Sequence, residues 1–311
     1  MKRTPKKPSD DRGHLLTERQ NEKSRRLDAI SLSAAFDLMN AEDASIPCAV
    51  AKAKPAITRA VELVSHAWQH GGRLIYVGAG TSGRLGVLDA SECPPTFRSD
   101  PKMVRGIIAG GKKALWRSVE GAEDDRRAAV RDLRLLAPSS KDVVMGIATG
   151  GTTPYVHEAL ALARRRGAKT IFFACVPKSQ ARAVCDVDIR VLTGPEILSG
   201  STRLKAGTAT KLVLNTITTL GMVRLGKTYG NLMVDLNSYA CRKLTERATR
   251  VIAAATGLTK PAAAELLHRA RGRAKTAIVM HRRNLTFTAA EALLLKHKGR
   301  VRAALESPLQ P

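Results

Sequence analysis

The residues of this chain best suited to chemistry gather in glycine- and hydroxyl-rich stretches rather than around histidine or cysteine. The first is Gly78-Ala79-Gly80-Thr81-Ser82-Gly83-Arg84, which follows the apolar run Leu74–Val77 and precedes a helical stretch. Glycines there let backbone N–H groups converge on an anion at a helix N-terminus, and Thr81 and Ser82 add hydroxyl donors. The second is Thr149-Gly150-Gly151-Thr152-Thr153-Pro154, with Pro154 suited to the first turn of a following helix. The third is Gly200-Ser201-Thr202-Arg203-Leu204-Lys205-Ala206-Gly207-Thr208. Any one of them alone reads as a turn with an N-cap; the three together suit a compact phosphate ester.

Two nucleotide readings of the first loop fail. It satisfies G-x-G-x-x-G, but a dinucleotide fold wants an acidic residue about 20 positions on to hold the ribose. The corresponding strand here ends Ile108-Ala109-Gly110-Gly111. The loop also has P-loop spacing, but Arg84-Leu85 stands where the Lys-Ser/Thr pair would hold phosphates and magnesium.

Carboxylates are scarce near these loops. Glu92 lies in Asp89-Ala90-Ser91-Glu92-Cys93-Pro94-Pro95, where the double proline is expected to end a helix. A surface salt bridge is its plain alternative use. Glu123 lies in Glu120-Gly121-Ala122-Glu123-Asp124-Asp125. Capping of the next helix against its dipole is the favoured account of Glu123 to Asp125 from composition alone. The seven histidines never fall into a ligand set with carboxylate or cysteine support; His66 and His70 have helical spacing but no third ligand, so no metal is expected. Cys93 lacks a basic neighbour to lower its pKa, which argues against a nucleophilic thiol.

Positioning such loops requires strands that end where helices begin. The runs Leu74–Val77, Val104–Ala109, Val143–Ala148, Ile171–Val176 and Val187–Leu192 are short, unbroken and apolar, as in strands buried on both faces of a parallel sheet. Intervening stretches such as Pro154–Arg165 are long enough for crossover helices. The expected fold is therefore α/β, a doubly wound parallel sheet flanked by helices. Arg203–Gly226 reads as a long apolar helix, either core or a self-association surface, as does the run Leu232–Val234. Residues 1–26 are polar and charged and read as a mobile basic arm, 27–250 as the main domain, and 251–311 as a small three-helix domain. Breaks in that last part are expected near Leu258–Pro261, Arg271–Arg273 and Arg283–Thr286.

Composition narrows the function classes. With 311 residues and 44% hydrophobic, the chain can bury a real core, which rules out disorder throughout. No uncharged apolar run approaches the ~18 residues of a membrane span, so no membrane partner is expected. The net charge of +25 invites a nucleic-acid reading, but the charge is spread out and aromatics make up only 4%, too few for a base-stacking platform. A solvated basic face is the plain account, and no specific nucleic acid is expected. The basic start, Met1–Pro8, has no apolar stretch behind it and is followed by Asp10 and Asp11, unlike a secretory or transit signal. Five scattered cysteines without C-x-x-C spacing suit a reducing compartment, so the expected location is the cytoplasm.

Three motifs together resemble a known family. The run from Gly78 to Thr96, containing Gly78-Ala79-Gly80-Thr81-Ser82-Gly83-Arg84-Leu85-Gly86 and Asp89-Ala90-Ser91-Glu92-Cys93-Pro94-Pro95, closely resembles the signature of N-acetylmuramic acid 6-phosphate etherases. So do Gly194–Thr208, with Gly194-Pro195-Glu196, and Lys227-Thr228-Tyr229-Gly230-Asn231-Leu232-Met233-Val234-Asp235. The likeness covers about residues 15–250. It implies a sugar isomerase (SIS) fold, a phosphosugar substrate, a homodimer, and cleavage of a lactyl ether without metal or organic cofactor, in cell-wall recycling. It also implies that Glu92 is the acid and Glu123 the base. The substrate's phosphate would fall to Gly80, Thr81, Ser82, Thr149, Gly150, Gly151, Thr152, Thr153, Ser201, Thr202 and Lys205. Two departures from the family pattern stand out. Thr149-Gly150-Gly151-Thr152 replaces a Ser-Gly-Arg arrangement, and Thr17-Glu18-Arg19-Gln20-Asn21-Glu22 lacks a proline after the asparagine.

Overall fold

The computed structural model of the chain describes residues 12–308. The five apolar runs form β1 (Leu74–Gly78), β2 (Val104–Ile108), β3 (Val143–Ile147), β4 (Lys169–Ala174) and β5 (Val187–Arg190) of one parallel sheet, in the order β2-β1-β3-β4-β5. Val143 of β3 pairs with Lys169 of β4, and Ile171 of β4 with Val187 of β5. Every residue of β1 and β3 is buried, whereas β2 and β5, at the two edges, keep half-buried positions. Unbroken apolar runs thus mark strands covered on both faces, as the sequence led one to expect.

Before the sheet come α1 (Leu32–Ala44), α2 (Ile46–Lys52) and α3 (Lys54–Gln69). The crossover helices are α4 (Gly80–Phe97) after β1, α5 (Arg126–Arg134) after β2 and α6 (Pro154–Arg165) after β3, with α7 (Lys205–Arg224) following β5. This is the expected doubly wound α/β arrangement.

The chain forms two compact units. The first runs up to Ala60 and takes in Ile75–Val87 and Gly106–Asn215; the second takes in Val61–Leu74, Leu88–Arg105 and the chain from Thr216 on. The first unit's core joins Ile75, Val77, Val144 and Phe172 of the strands to Leu133 of α5 and Val156 and Leu160 of α6. Fully burying side chains of this size contributes roughly 1.5–3 kcal/mol each. The second unit has a core of its own, drawn from Val234, Val251, Leu267, Ile278, Leu294 and Val301, among others.

Several expectations need correction. The described part of the segment read as a mobile arm, residues 1–26, packs against the rest of the first unit: Leu15 is 1% and Thr17 0% exposed. The Leu16 N–H donates to Gln180 Oε1, Gln180 Nε2 donates to the His14 carbonyl, and Ser24 Oγ donates to the Ile197 carbonyl. A few anchoring residues outweigh the polar average. The basic run Lys2–Lys7 lies outside the described residues.

The C-terminal helices are more numerous than three and begin before residue 251. A hairpin of β6 (Thr228–Tyr229) and β7 (Leu232–Met233) precedes α8 (Arg242–Thr256), α9 (Lys260–Arg269), α10 (Ala274–Arg283), α11 (Phe287–Lys296) and α12 (Val301–Glu306). The three expected breaks occur where placed, and a fourth falls at Lys298-Gly299, where both φ values are positive. Nor do Pro94 and Pro95 stop α4, which continues through them to Phe97 and ends at Arg98, with φ +47°. Burial of Cys93 and Phe97, one turn apart, holds that last turn in place despite two missing N–H donors.

Candidate active site

Strands β1 and β3 are neighbours, but their connections diverge, α4 leading to β2 and α6 to β4. At such a switch point the two helix starts separate and leave a crevice beyond the carboxyl ends of the strands. The loops after β1 and β3 are the first two hydroxyl-rich loops. The N-termini of α4 and α6 therefore begin there, each with orphan N–H groups and a positive dipole end suited to an anion.

The glycines of the first loop permit this geometry by close approach. A Cβ on Gly78 would lie 2.6 Å from the Gly83 nitrogen, and one on Gly83 would lie 2.8 Å from the Gly78 carbonyl oxygen. Only two glycines let β1 and the first turn of α4 pack this tightly.

Ser82, Thr149 and Gly151 are buried, Thr81, Gly150, Thr152 and Thr153 half-buried, and Gly80 exposed. If these hydroxyls served only as caps and turn bonds, they would be partnered internally. Thr153 precedes α6 at the N-cap position, yet its side chain makes no capping bond. Among the described residues the hydroxyls of Thr81, Ser82, Thr149 and Thr152 make no hydrogen bond either. Structural hydroxyls of the same unit behave differently: Thr210 Oγ1 donates to the Ala206 carbonyl and Thr170 Oγ1 to Asp186.

The third loop joins the first, since a Cβ on Gly207 would lie 3.8 Å from the Thr81 methyl. Its half-buried Ser201 and Thr202 keep unpartnered hydroxyls among the described residues. The helix start behind them, however, is already occupied. The N–H groups of Lys205 and Ala206 both donate to the Glu196 carboxylate at 2.9 Å, and Glu196 is fully buried. Burial pushes the Glu196 carboxyl above its usual range against the lowering effect of those two amides.

Lys205, expected on the substrate, points its ammonium elsewhere: Nζ lies 2.6 Å from Glu42 Oε2. Glu42 also accepts from Lys23 Nζ at 2.8 Å and Asn21 Nδ2 at 2.9 Å. Burial would raise the Glu42 carboxyl, but hydrogen bonds from Lys205, Lys23 and Asn21 outweigh it and hold its pKa at about 2. The pairing has a simple cause. An ammonium this buried needs a fixed counter-charge, and α1 supplies one.

Glu123 lies in a 3₁₀ turn, Ala122–Asp124, and lines a cavity of about 370 Å³ with Gly80, Arg84, Ser118, Glu120 and Asp124. The structure thus brings Glu123 together with the start of α4. Its Oε1 accepts from Arg12 Nη1 at 3.4 Å, and Arg12 Nη2 lies 3.9 Å from Asp124. Of the run Glu123 to Asp125, for which capping was expected, Asp125 supplies the cap: its side chain accepts from the Ala128 N–H of α5. Glu123 is thereby left free of capping.

Glu92, in the second unit, is exposed near the end of α4. The surface salt bridge that would be its plain use is not formed with any described residue. Its neighbour Cys93 is buried, with a thiol pushed up to about 12 by burial and by the Asp89 and Glu92 charges, which fits the reading that it is no nucleophile. His66 and His70 stack with ring centroids 4.2 Å apart, and His70 Nδ1 lies 2.7 Å from the His66 carbonyl.

Sequence reasoning missed Thr17 and Glu18. A Cβ on Gly150 would lie 3.7 Å from Thr17 Oγ1, and one on Gly200 would lie 3.1 Å from Glu18 Oε2, so the N-terminal motif covers the second and third loops. The only signal for it was the family likeness of Thr17–Glu22. Arg84 was read solely as a misfit to a P-loop.

Comparison with known proteins agrees with this architecture. The profile of the glucokinase regulatory protein N-terminal SIS domain matches residues 56–164, and that of the SIS domain matches residues 127–220. The N-acetylmuramic acid 6-phosphate etherase of Crocosphaera subtropica is 52% identical over 297 residues, 96% of this chain and 97% of its own. That of Gloeobacter violaceus is 54% identical over 296 residues, 95% and 96% of the two chains. The phosphoheptose isomerase of Neisseria gonorrhoeae aligns with a TM-score of 0.46 at 18% identity, covering 61% of this chain and 98% of that one. That last likeness is too loose to decide either fold or chemistry.

Proposed function

We infer the chemistry from one premise: the chain belongs to the N-acetylmuramic acid 6-phosphate etherase family, since relatives of that name match it at 52–54% identity over nearly the full length of both chains. It is a carbon–oxygen lyase that cleaves the D-lactyl ether of N-acetylmuramic acid 6-phosphate, giving N-acetylglucosamine 6-phosphate and D-lactate. The observation that carries this reading beyond the likeness is the cavity shared by Glu123 and the start of α4, with unpartnered hydroxyls in the adjoining loop.

An alkyl ether resists direct hydrolysis because an alkoxide leaves poorly. Opening the sugar to its aldehyde makes the C2 proton acidic. In our reading Glu123 removes that proton, and Glu92 protonates the C3 ether oxygen as lactate departs. Water then adds at C3 of the unsaturated aldehyde and C2 regains a proton. The sum is one water consumed and one lactate released. Each positioned proton transfer contributes typically 10²–10⁴-fold. The hydroxyls of Thr81, Ser82, Thr149, Thr152 and Thr153, with the amides of Gly80, Gly150 and Gly151, hold the 6-phosphate and so fix C2 and C3 for reaction. Ser201 and Thr202 complete the phosphate grip, while Lys205 positions the third loop.

We place the enzyme in the cytoplasm, as its scattered cysteines without C-x-x-C spacing suit a reducing compartment, and expect a homodimer. Leu32, Phe36 and Met39 of α1, at i, i+4 and i+7, are 88%, 66% and 39% exposed, an apolar stripe suited to a second copy. No described helix is long and apolar enough to cross a membrane.

The deciding experiment incubates purified protein with N-acetylmuramic acid 6-phosphate in ¹⁸O-labelled water. Label is expected on the C3 hydroxyl of the sugar and none on lactate. Label on lactate would mean displacement at the lactyl carbon, and absence of lactate would end the etherase reading.

A further inference from the structure

We propose that Arg84 forms a carboxylate subsite in the Glu123 cavity, gripping the lactyl carboxylate and selecting lactyl ethers from other 6-phosphosugars. The proposal rests on the etherase reading for the identity of its ligand.

The cavity is otherwise acidic. Glu120, Glu123 and Asp124 line it, and Arg84 is the cation among its lining residues. Glu120 is held by the Ser118 hydroxyl at 2.7 Å, and Glu123 and Asp124 share Arg12. Arg84 has no carboxylate partner among the described residues; its Nε donates to the Leu115 carbonyl at 3.3 Å. That bond anchors the guanidinium and leaves the two Nη groups, the fork that matches a carboxylate bidentately. Nor is Arg84 placed to help its own helix. It sits about one turn into α4, near the end where the dipole disfavours a cation. A half-buried, anchored, unpaired guanidinium in an acidic cavity is best explained by an anion that comes and goes.

Covalent geometry selects which anion. The substrate carries two, a phosphate on C6 and the lactyl carboxylate. The carboxylate is bonded to the carbon that bears the C3 ether oxygen, and C3 adjoins C2, where Glu123 acts. The phosphate lies at the far end of the sugar. A cation beside the base is therefore placed for the carboxylate; because Gly80 of the phosphate loop also lines this cavity, the phosphate is the competing anion, which the N-acetylglucosamine 6-phosphate arm of the test separates. A phosphosugar without the lactyl group would leave Arg84 unpaired and would bind more weakly.

The test compares N-acetylmuramic acid 6-phosphate with its lactyl carboxamide, in wild type, Arg84→Gln and Arg84→Lys. A charged hydrogen-bonded pair is worth about 1.5–3 kcal/mol, so wild type should favour the acid by roughly 10- to 150-fold in kcat/KM. Arg84→Gln should lose that preference by falling on the acid alone, and Arg84→Lys should restore part of it. Calorimetry in the Glu123→Gln background, where turnover is slowed by roughly 10²–10⁴-fold, should give the same ratio in Kd. N-acetylglucosamine 6-phosphate should bind Arg84→Gln as it binds wild type. Equal losses on acid and amide, weakened binding of N-acetylglucosamine 6-phosphate, or a wild type indifferent to the carboxylate would each overturn the proposal. If wild type released no lactate from the acid, the etherase reading would fail, and the acid-to-amide ratio in Kd would still decide whether Arg84 binds a carboxylate.

Discussion

Lys205 and Glu42 form an ion pair of 2.6 Å, with side chains only 4% and 10% exposed, that ties the start of α7 to α1. Removing one member of a buried pair leaves the other charged and unsolvated, typically at a cost of 3–5 kcal/mol. Lys205→Met should therefore destabilise the protein by about that much in urea unfolding. Combining it with Glu42→Gln should restore part of the loss. A Lys205→Met protein of normal stability whose phosphosugar binding has collapsed would return Lys205 to the substrate.

The same carboxylate sets an acid limit. Glu42 is held at about 2 against an ordinary 4.5, so its contribution is full above pH 4.5 and drains away as pH falls toward 2. Such a shift corresponds to about 3 kcal/mol. Unfolding free energy measured from pH 6 to pH 3 should drop less steeply in Glu42→Gln than in wild type. Parallel curves would remove Glu42 from the acid response.

Glu123→Gln and Glu92→Gln should each lower kcat by roughly 10²–10⁴-fold. They should differ in isotope exchange. In heavy water Glu123→Gln should lose incorporation of deuterium at C2, whereas Glu92→Gln, blocked at loss of lactate, should retain it. The opposite pattern would exchange the two roles.

Ser82→Ala tests whether the hydroxyl loops bind ligand or build the fold. Because this hydroxyl has no internal partner among the described residues, stability should change by no more than about 0.5 kcal/mol. The Kd for N-acetylglucosamine 6-phosphate, by contrast, should rise several-fold, since a neutral hydrogen bond is worth about 0.5–1.5 kcal/mol. A lower melting temperature with unchanged affinity would make Ser82 structural.

For the apolar stripe of α1, Phe36→Asp should convert a dimer into a monomer in sedimentation, with an unaltered circular dichroism spectrum. A dimer that survives both Phe36→Asp and Leu32→Asp would move the interface elsewhere.

Much of this protein is local and could be read in order along the chain. Val143–Ile147 is a strand because five apolar residues in succession suit a site covered on both faces, and Gly78 and Gly83 announce a close turn wherever they fold. The glycine- and hydroxyl-rich loops at the strand ends were legible for the same reason, whereas Glu92 and Glu123 stood out through the family likeness alone. Packing decided the rest. Pro94-Pro95 looks like a stop, yet the burial of Cys93 and Phe97 carries α4 past it. Lys205 looks like a ligand for phosphate until Glu42, 163 residues away, is seen against it. Glu123 meets Arg12 across 111 residues, and Asp125, not Glu123, takes the helix cap. Periodicity and turn chemistry act between neighbours in sequence, so they are written there. Which charge faces which, and which hydroxyl is left without a partner, depends on distances that exist only once remote segments have packed.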